Sequence, residues 1–202
     1  MGCIILGAGV SRRFGADKRM QPLGERTIAQ TTLKLYCSAF KDVRLVLRED
    51  DNPAHIVGDL YNQGNLQIIR APMAHLGMGH SLSAGFVDLD WQWSFVALLD
   101  MPYIQLKTLQ DLIAHAEASS STLVQPRLIE SSAAALDRAP ERRKGHPIGI
   151  HHSLFAQVRT SIGDQGARWL LKEYAAQIDY FDSHDPGVIQ DIDNPTDLPN
   201  AY

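Results

Sequence analysis

Three glycines and four cations crowd residues 7–19: Gly7, Gly9 and Gly15 alternate with Arg12, Arg13, Lys18 and Arg19, and Ser11 sits among them. Glycines leave backbone N–H groups accessible, and such groups together with fixed positive charge make a place to hold phosphates. Ser11 and the glycines can wrap a triphosphate, Arg13 can bind it bidentately, and Lys18 can neutralise charge as phosphorus is attacked. Two carboxylates strengthen the case. Asp100 directly follows the apolar run Phe95–Leu99, and Asp193 directly follows Val188–Ile192. Mg²⁺ takes one or two protein carboxylates and fills its other positions with phosphate oxygens and water. Either aspartate alone reads as a helix N-cap; the pair, far apart in the chain and matched in local context, favours a metal site over two separate caps.

Both aspartates need strands that end at the same edge. Cys3–Leu6 has the length and β-branched content of a buried strand feeding the loop. Helical spacing over Thr27–Phe40, a strand at Val43–Leu47, a short helix from Pro53 and a strand at Leu66–Ile69 give βαβαβ, the pattern of a parallel sheet. Met73–Gly85 reads as a helix framed by glycines, Ser94–Leu99 as a central strand, Leu106–Ala116 as an amphipathic helix and Thr122–Pro126 as a short strand. Residues 127–145 have no period and read as an excursion, a loop or helical hairpin over the site. Pro147–Ile150 returns to strand, Ser153–Val158 and Ala167–Ala176 are helical, and Ile178–Phe181 and Gly187–Ile192 are the last two strands. In an open parallel sheet Asp100 and Asp193 would then emerge at the carboxyl edge, where such folds bind ligands.

The loop fails two familiar phosphate motifs. The dinucleotide fingerprint needs a third glycine where Arg12 stands, and the second strand ends in an ambiguous Arg48-Glu49-Asp50-Asp51. In the P-loop, Gly9 and Gly15 would be one residue closer and a lysine would replace Ala16. What remains is L-G-A-G-x-S-x-R-x-G-x-x-K.

Composition bounds the ligand. The chain has 202 residues, 45% of them hydrophobic, and a net charge of −4. That balance argues against duplex nucleic acid and points the local cations at a small phosphorylated molecule. Neither a leader nor an apolar run of about 18 residues is present, so the expectation is a cytoplasmic protein without a membrane span. Cys3 and Cys37 read as buried thiols. His151 and His152 are adjacent and read as surface residues, whereas His80 and His146 lie inside glycine motifs and are candidates for hydrogen bonds to substrate.

These residues resemble the molybdenum cofactor nucleotidyltransferases, a branch of the nucleotide-transferring superfamily that includes sugar-nucleotide pyrophosphorylases. Six ordered motifs carry the resemblance: LGAGVSRRFGADK at 6–18, GMGHSLSAG at 77–85, LLDMP at 98–102, GHP at 145–147, GDQGAR at 163–168 and DIDNPTD at 191–197. The cytidylyl-transferring members usually carry Leu-Ala-Ala-Gly and the guanylyl-transferring ones Leu-Ala-Gly-Gly. Here Leu6-Gly7-Ala8-Gly9 stands one step from the cytidylyl form, which GDQGAR also favours.

The resemblance implies a three-layer α/β/α Rossmann-like nucleotide-diphospho-sugar transferase fold with a mostly parallel central sheet, one domain over residues 1–202, and 127–145 near the acceptor. It implies that Leu6, Gly7, Ala8, Gly9, Ser11 and Arg12 hold the nucleotide with Gly77, Gly79 and Ser81 beside it. Arg13, Lys18 and Asp100 would be catalytic, and Asp100 and Asp193 would share Mg²⁺. Gly145, His146, Pro147 and Asp164 would line the acceptor side. The expected reaction moves a nucleoside monophosphate, CMP from CTP, onto the terminal phosphate of a phosphorylated pterin, molybdopterin, and releases pyrophosphate. A phosphate nucleophile is already ionised and needs no general base, in keeping with the lack of a His–acid pair. A guanylyltransferase, a sugar-phosphate or phospho-alcohol nucleotidyltransferase, and a non-catalytic nucleotide-binding maturation factor for a recipient molybdoenzyme remain as alternatives. Asp164 caps the helix near Gln165 or faces the acceptor, and Arg168 pairs with an acid or touches ligand.

Overall fold

The first strand, β1 (Gly2–Leu6), lies at the middle of the sheet and is apolar on both faces. Cys3 and Ile5 join one core cluster and Ile4 the other, so β1 needs a helical layer on each side. The computed structural model describes residues 1–9, 14–129 and 142–198. After β1 come a small antiparallel pair, β2 (Pro22–Leu23) and β3 (Arg26–Thr27), and then α1 (Ile28–Ala39). A capping box starts α1: Thr27 Oγ1 accepts from Gln30 N at 3.2 Å and Gln30 Oε1 accepts from Thr27 N at 3.3 Å. Next are β4 (Asp42–Arg48), α2 (Pro53–Val57), β5 (Leu66–Ala71) and α3 (Met78–Gly85). They are followed by β6 (Trp93–Leu98), α4 (Leu106–Ala118), β7 (Leu123–Ile129), β8 (Arg142–Lys144) and β9 (Ile148–His151). The last elements are α5 (Phe155–Val158), α6 (Arg168–Glu173) and β10 (Ile178–Ser183).

Among the described residues the main sheet has eight strands in the order β10-β7-β9-β6-β1-β4-β5, with β8 on β7. The β1–β4, β1–β6, β4–β5 and β7–β10 pairs are parallel; β9 is antiparallel to β6 and β7, so the sheet is mixed but mostly parallel. Helices α1, α2 and α4 cover one face through Leu33, Tyr36, Ile56, Leu109 and Leu112. Helices α3, α5 and α6 cover the other through Leu82, Phe86, Phe155, Val158 and Leu170. This is the expected three-layer α/β/α arrangement. Cys3 and Cys37 are buried free thiols, and burial pushes both up, Cys37 to about 11. No described helix is long and apolar enough to cross a membrane.

Two expected elements differ. The 127–145 stretch is not an excursion throughout: residues 127–129 extend β7, and Arg142–Lys144 pair antiparallel with them. Arg127 and Lys144 face each other in that ribbon, both over the Tyr180 ring, at 4.4 and 5.1 Å. Residues 130–141 lie outside the described residues. The expected strand at Gly187–Ile192 is instead a 3₁₀ turn over Pro186–Val188 followed by backbone that belongs to no strand. Pro186 occupies the first helical position and Asp185 Oδ1 accepts from Gly187 N at 2.9 Å, which starts a turn where periodicity suggested a strand. His151 is also less of a surface residue than expected, since its ring meets Trp93 edge-on at 5.2 Å.

Candidate active site

Register decides which loops meet. Leu6 is level with Val46 on one side and Leu98 on the other, and Leu99 N donates to Leu6 O at 3.2 Å. The loop leaving β1 and the Leu99-Asp100 segment leaving β6 therefore emerge side by side at the carboxyl edge. Thr32 of α1 fixes the latter by donating to Leu99 O at 3.0 Å.

Asp193 reaches the same place by another route. Ile192 N donates to Asp100 O at 3.0 Å, laying the segment across the end of β6. The Asn194–Asp197 turn then holds it: Asp197 Oδ2 accepts from Asp193 N at 2.9 Å and from Asn194 N at 2.7 Å. Asp193 thus sits where a strand end would have put it, carried by a capped turn.

Lys18 joins the two carboxylates. Its Nζ lies 2.5 Å from Asp100 Oδ2 and 3.1 Å from Asp193 Oδ1, and donates to Ile192 O at 3.0 Å. Burial works to lower the Lys18 pKa, but Asp100 and Asp193 outweigh it and the ammonium is held more firmly than usual. Asp191 is drawn into the same field: desolvation, then Asp193 and Asp100, raise its carboxyl above the ordinary range. Sequence reasoning passed over Asp191, although it lies two residues from Asp193 in the same motif.

The donor set fits a divalent cation. Asp100 Oδ1 is buried with no hydrogen-bond partner, a costly state for a carboxylate oxygen that a cation would relieve. Among the described residues no group of three or more His, Cys, Asp or Glu could hold a metal by itself. Asp100 and Asp193 could therefore take up a divalent cation only with oxygens from elsewhere completing its coordination.

Lys18, Asp100 and Asp193 line one wall of a cleft of about 490 Å³. Leu6, Ala8, Gly9 and Phe14 line the β1 side, and Ala74–Met78, Ser81 and Asp164 the opposite side. Ser11, Arg12 and Arg13 lie outside the described residues. Phe14, His75 and Leu76 were missed by sequence reasoning; their only signal was nearness to the motif glycines.

Five expected site residues, Gly7, Gly79, Gly145, His146 and Pro147, do not line the cleft. Gly7 lies beneath it: its N donates to Val46 O at 2.9 Å, its O accepts from Arg19 Nη1 at 2.8 Å, and a Cβ would come 2.7 Å from Leu99 Cδ2. Gly79 is buried, donates to Gly163 O at 2.7 Å, and leaves room for the Ile162 carbonyl, which a Cβ would approach to 2.5 Å. Gly77, with φ of 126°, is equally tight on Gly163. These glycines seat the 162–164 loop, and that seat carries Asp164 into the cleft. Asp164 caps no helix, since α6 begins at Arg168 without a side-chain cap.

Gly145 and His146 tie the turn at 186–188 to the sheet. Gly145 N donates to Pro126 O and His146 N to Val188 O, both at 2.8 Å, and a Cβ on Gly145 would meet Val188 O at 2.1 Å. Pro147 is buried behind them. Desolvation pushes the His146 pKa down to about 4, with Asp100 opposing and Arg168 assisting, so the ring is neutral at physiological pH. Arg19, read from sequence as one of the phosphate-facing cations, turns the other way and is buried against Asp17 and Asp51.

The MobA-like NTP transferase domain family matches residues 3–178. The chain belongs to that family. It is a nucleotidyltransferase of the MobA-like group. It is 28% identical over 203 residues to the purine catabolism protein PucB of Bacillus subtilis, covering 95% of this chain and 91% of PucB. It is 27% identical over 199 residues to nicotine blue oxidoreductase of Paenarthrobacter nicotinovorans, covering 94% and 90%. Its fold is similar to the crystal structure of Rv0371c from Mycobacterium tuberculosis, with a TM-score of 0.77, 20% identity, and coverage of 97% of this chain and 93% of that one. The manganese complex of Rv0371c gives a TM-score of 0.67 at 17% identity, over 90% and 87% of the two chains.

Proposed function

We propose that this MobA-like protein transfers CMP from CTP to the terminal phosphate of molybdopterin and releases pyrophosphate. The observation that carries nucleotidyl transfer is the convergence of Lys18, Asp100 and Asp193, from three distant parts of the chain, on one wall of a cleft edged by Leu6, Ala8 and Gly9. An oxygen of the acceptor phosphate attacks the α-phosphorus. The bond from that phosphorus to the bridging oxygen breaks, and its electron pair leaves with pyrophosphate. The work required of the protein is positioning and charge neutralisation. Lys18, with Arg12 and Arg13, grips the phosphates. Mg²⁺ held by Asp100 and Asp193 would neutralise charge on the transferring phosphoryl oxygens, and the metal-bound structure of a fold relative supports a divalent ion.

The cytidylyl choice rests on Leu6-Gly7-Ala8-Gly9 and on Gly163-Asp164-Gln165-Gly166-Ala167-Arg168. A phosphate acceptor is favoured because a phosphate oxygen is already ionised near neutral pH and asks no general base of the protein. The oxidoreductase name of one relative is not carried over, because Arg12 replaces the third glycine of the dinucleotide fingerprint.

Incubating the protein and Mg²⁺ with each of the four nucleoside triphosphates and molybdopterin, then measuring pyrophosphate, tests the reading. CTP is expected to give the highest rate, and Asp100→Asn to lower it at least about tenfold, or ~1.4 kcal/mol of barrier, with the fold retained. Unchanged release in that variant at saturating Mg²⁺ would sink the metal role. Binding of CTP without turnover would favour the maturation-factor alternative.

A further inference from the structure

Arg19 is an enclosed charge beside the cleft, yet it does not face it. Its side chain is 5% exposed, and all five of its N–H donors have acceptors. Nη1 donates to Gly7 O at 2.8 Å and to Asp51 Oδ2 at 2.7 Å, and Nη2 donates to Asp51 Oδ1 at 2.7 Å. Nε and Nη2 donate to the Asp17 carboxylate at 2.9 and 2.7 Å. Asp51, itself 5% exposed, is held in turn by Arg48 N at 2.9 Å and Arg48 Nη2 at 2.8 Å. Arg70 Nη1 braces the same loop from behind by donating to Arg48 O and Asp51 O at 2.8 and 2.7 Å.

The guanidinium therefore fastens both ends of the glycine loop to the end of β4: Gly7 where the chain leaves β1, and Asp17 where it enters the turn at Lys18–Met20. Lys18 is the next residue, and its side chain runs the opposite way to Asp100 and Asp193. A long, flexible ammonium can meet two carboxylates and a carbonyl only if its backbone is fixed, and the neighbouring planar fork supplies that fixation. We infer that Arg19 is a positioning residue, which through its Gly7–Asp17–Asp51 clamp aims Lys18 at the site of phosphoryl chemistry. The inference rests on the nucleotidyl-transfer reading for its effect on rate, and on the clamp alone for its effect on Lys18.

The test is a double-mutant cycle with a spectroscopic arm. Arg19→Lys keeps the charge but loses the fork, and Asp17→Asn weakens only the more exposed arm and guards against a folding failure. Arg19→Lys is expected to lower pyrophosphate release from CTP by about ten- to a hundredfold, and Asp17→Asn by less. In a Lys18→Met background the Arg19→Lys change is expected to cost no more than about twofold, because what it aims is already gone. In ¹⁵N NMR, the Lys18 ammonium resonance, identified by its loss in Lys18→Met, is expected to shift and exchange faster in both clamp variants. Equal losses with and without Lys18 would overturn the inference and leave Arg19 merely structural, as would an unmoved ammonium resonance. If Lys18→Met releases pyrophosphate at the wild-type rate, the functional reading fails instead, and the resonance still decides the clamp.

Discussion

Substituting alanine at Gly7 separates two accounts of the glycine loop. Cytidylyl-transferring relatives usually carry alanine at this position, so from sequence the change is a step toward the family pattern and a candidate for sharpening the choice of CTP. In the structure the missing methyl would point away from the cleft. It would lie 2.7 Å from Leu99 Cδ2, 3.1 Å from Leu45 Cδ1 and 3.3 Å from Leu47 Cδ2. Those leucines are at most 3% exposed and packed under α1, so three side chains must yield together in a full core. Overpacking of this kind costs about 1–3 kcal/mol. For a chain of this length that is a fall in Tm of about 3–9 °C. Selectivity should hold, because the added methyl touches no cleft residue other than through the Gly7 backbone. The assay is thermal unfolding together with pyrophosphate release from CTP and GTP. We expect a lower Tm and a CTP-to-GTP ratio unchanged within about twofold, the scatter of a small barrier change. An unshifted Tm, or a ratio moved tenfold or more, would refute the packing argument.

Gly79→Ala would drive a Cβ to 2.5 Å from the Ile162 carbonyl, a backbone atom that cannot rotate away. The expected result is about 1–3 kcal/mol of lost stability and faster amide exchange over residues 161–166, with weaker acceptor binding as Asp164 leaves the cleft. For His146 the folded pKa, about 4, lies below the ordinary 6.5. Between those values the unfolded chain binds more protons, so stability rises with pH across the window and is lost as pH falls from about 6.5 to 4. The full shift corresponds to at most about 3 kcal/mol. Denaturant titrations at pH 7 and 4.5 should show His146→Gln gaining on the wild type at the lower pH, and parallel losses would refute desolvation as the cause.

The sequence by itself pointed to a layered, mostly parallel sheet, to a nucleotidyltransferase family, and to several of the residues that line the cleft. Runs such as Cys3-Ile4-Ile5 and Val43–Leu47 can be stable only when covered on both faces, so a layered α/β fold follows from composition and order. The spacing of the glycine loop excluded the dinucleotide and P-loop folds, and Asp100 was legible because its strand stops abruptly at Met-Pro. Only the tertiary structure decided what each glycine is for and which way each charge points. Gly7 and Gly79 look alike in a motif, but one makes room for leucines and the other for a carbonyl. Adjacent Lys18 and Arg19 look interchangeable, but one faces the cleft acids and the other the buried Asp51. Asp193 was found for a partly mistaken reason: a capped turn, tied to Asp100 through Ile192 N, holds it where a strand was expected. Local sequence encodes periodicity and turn chemistry, which fix elements. The direction of a side chain at a loop is set by the non-local partners that claim its hydrogen bonds, and those partners exist only once the strands have aligned.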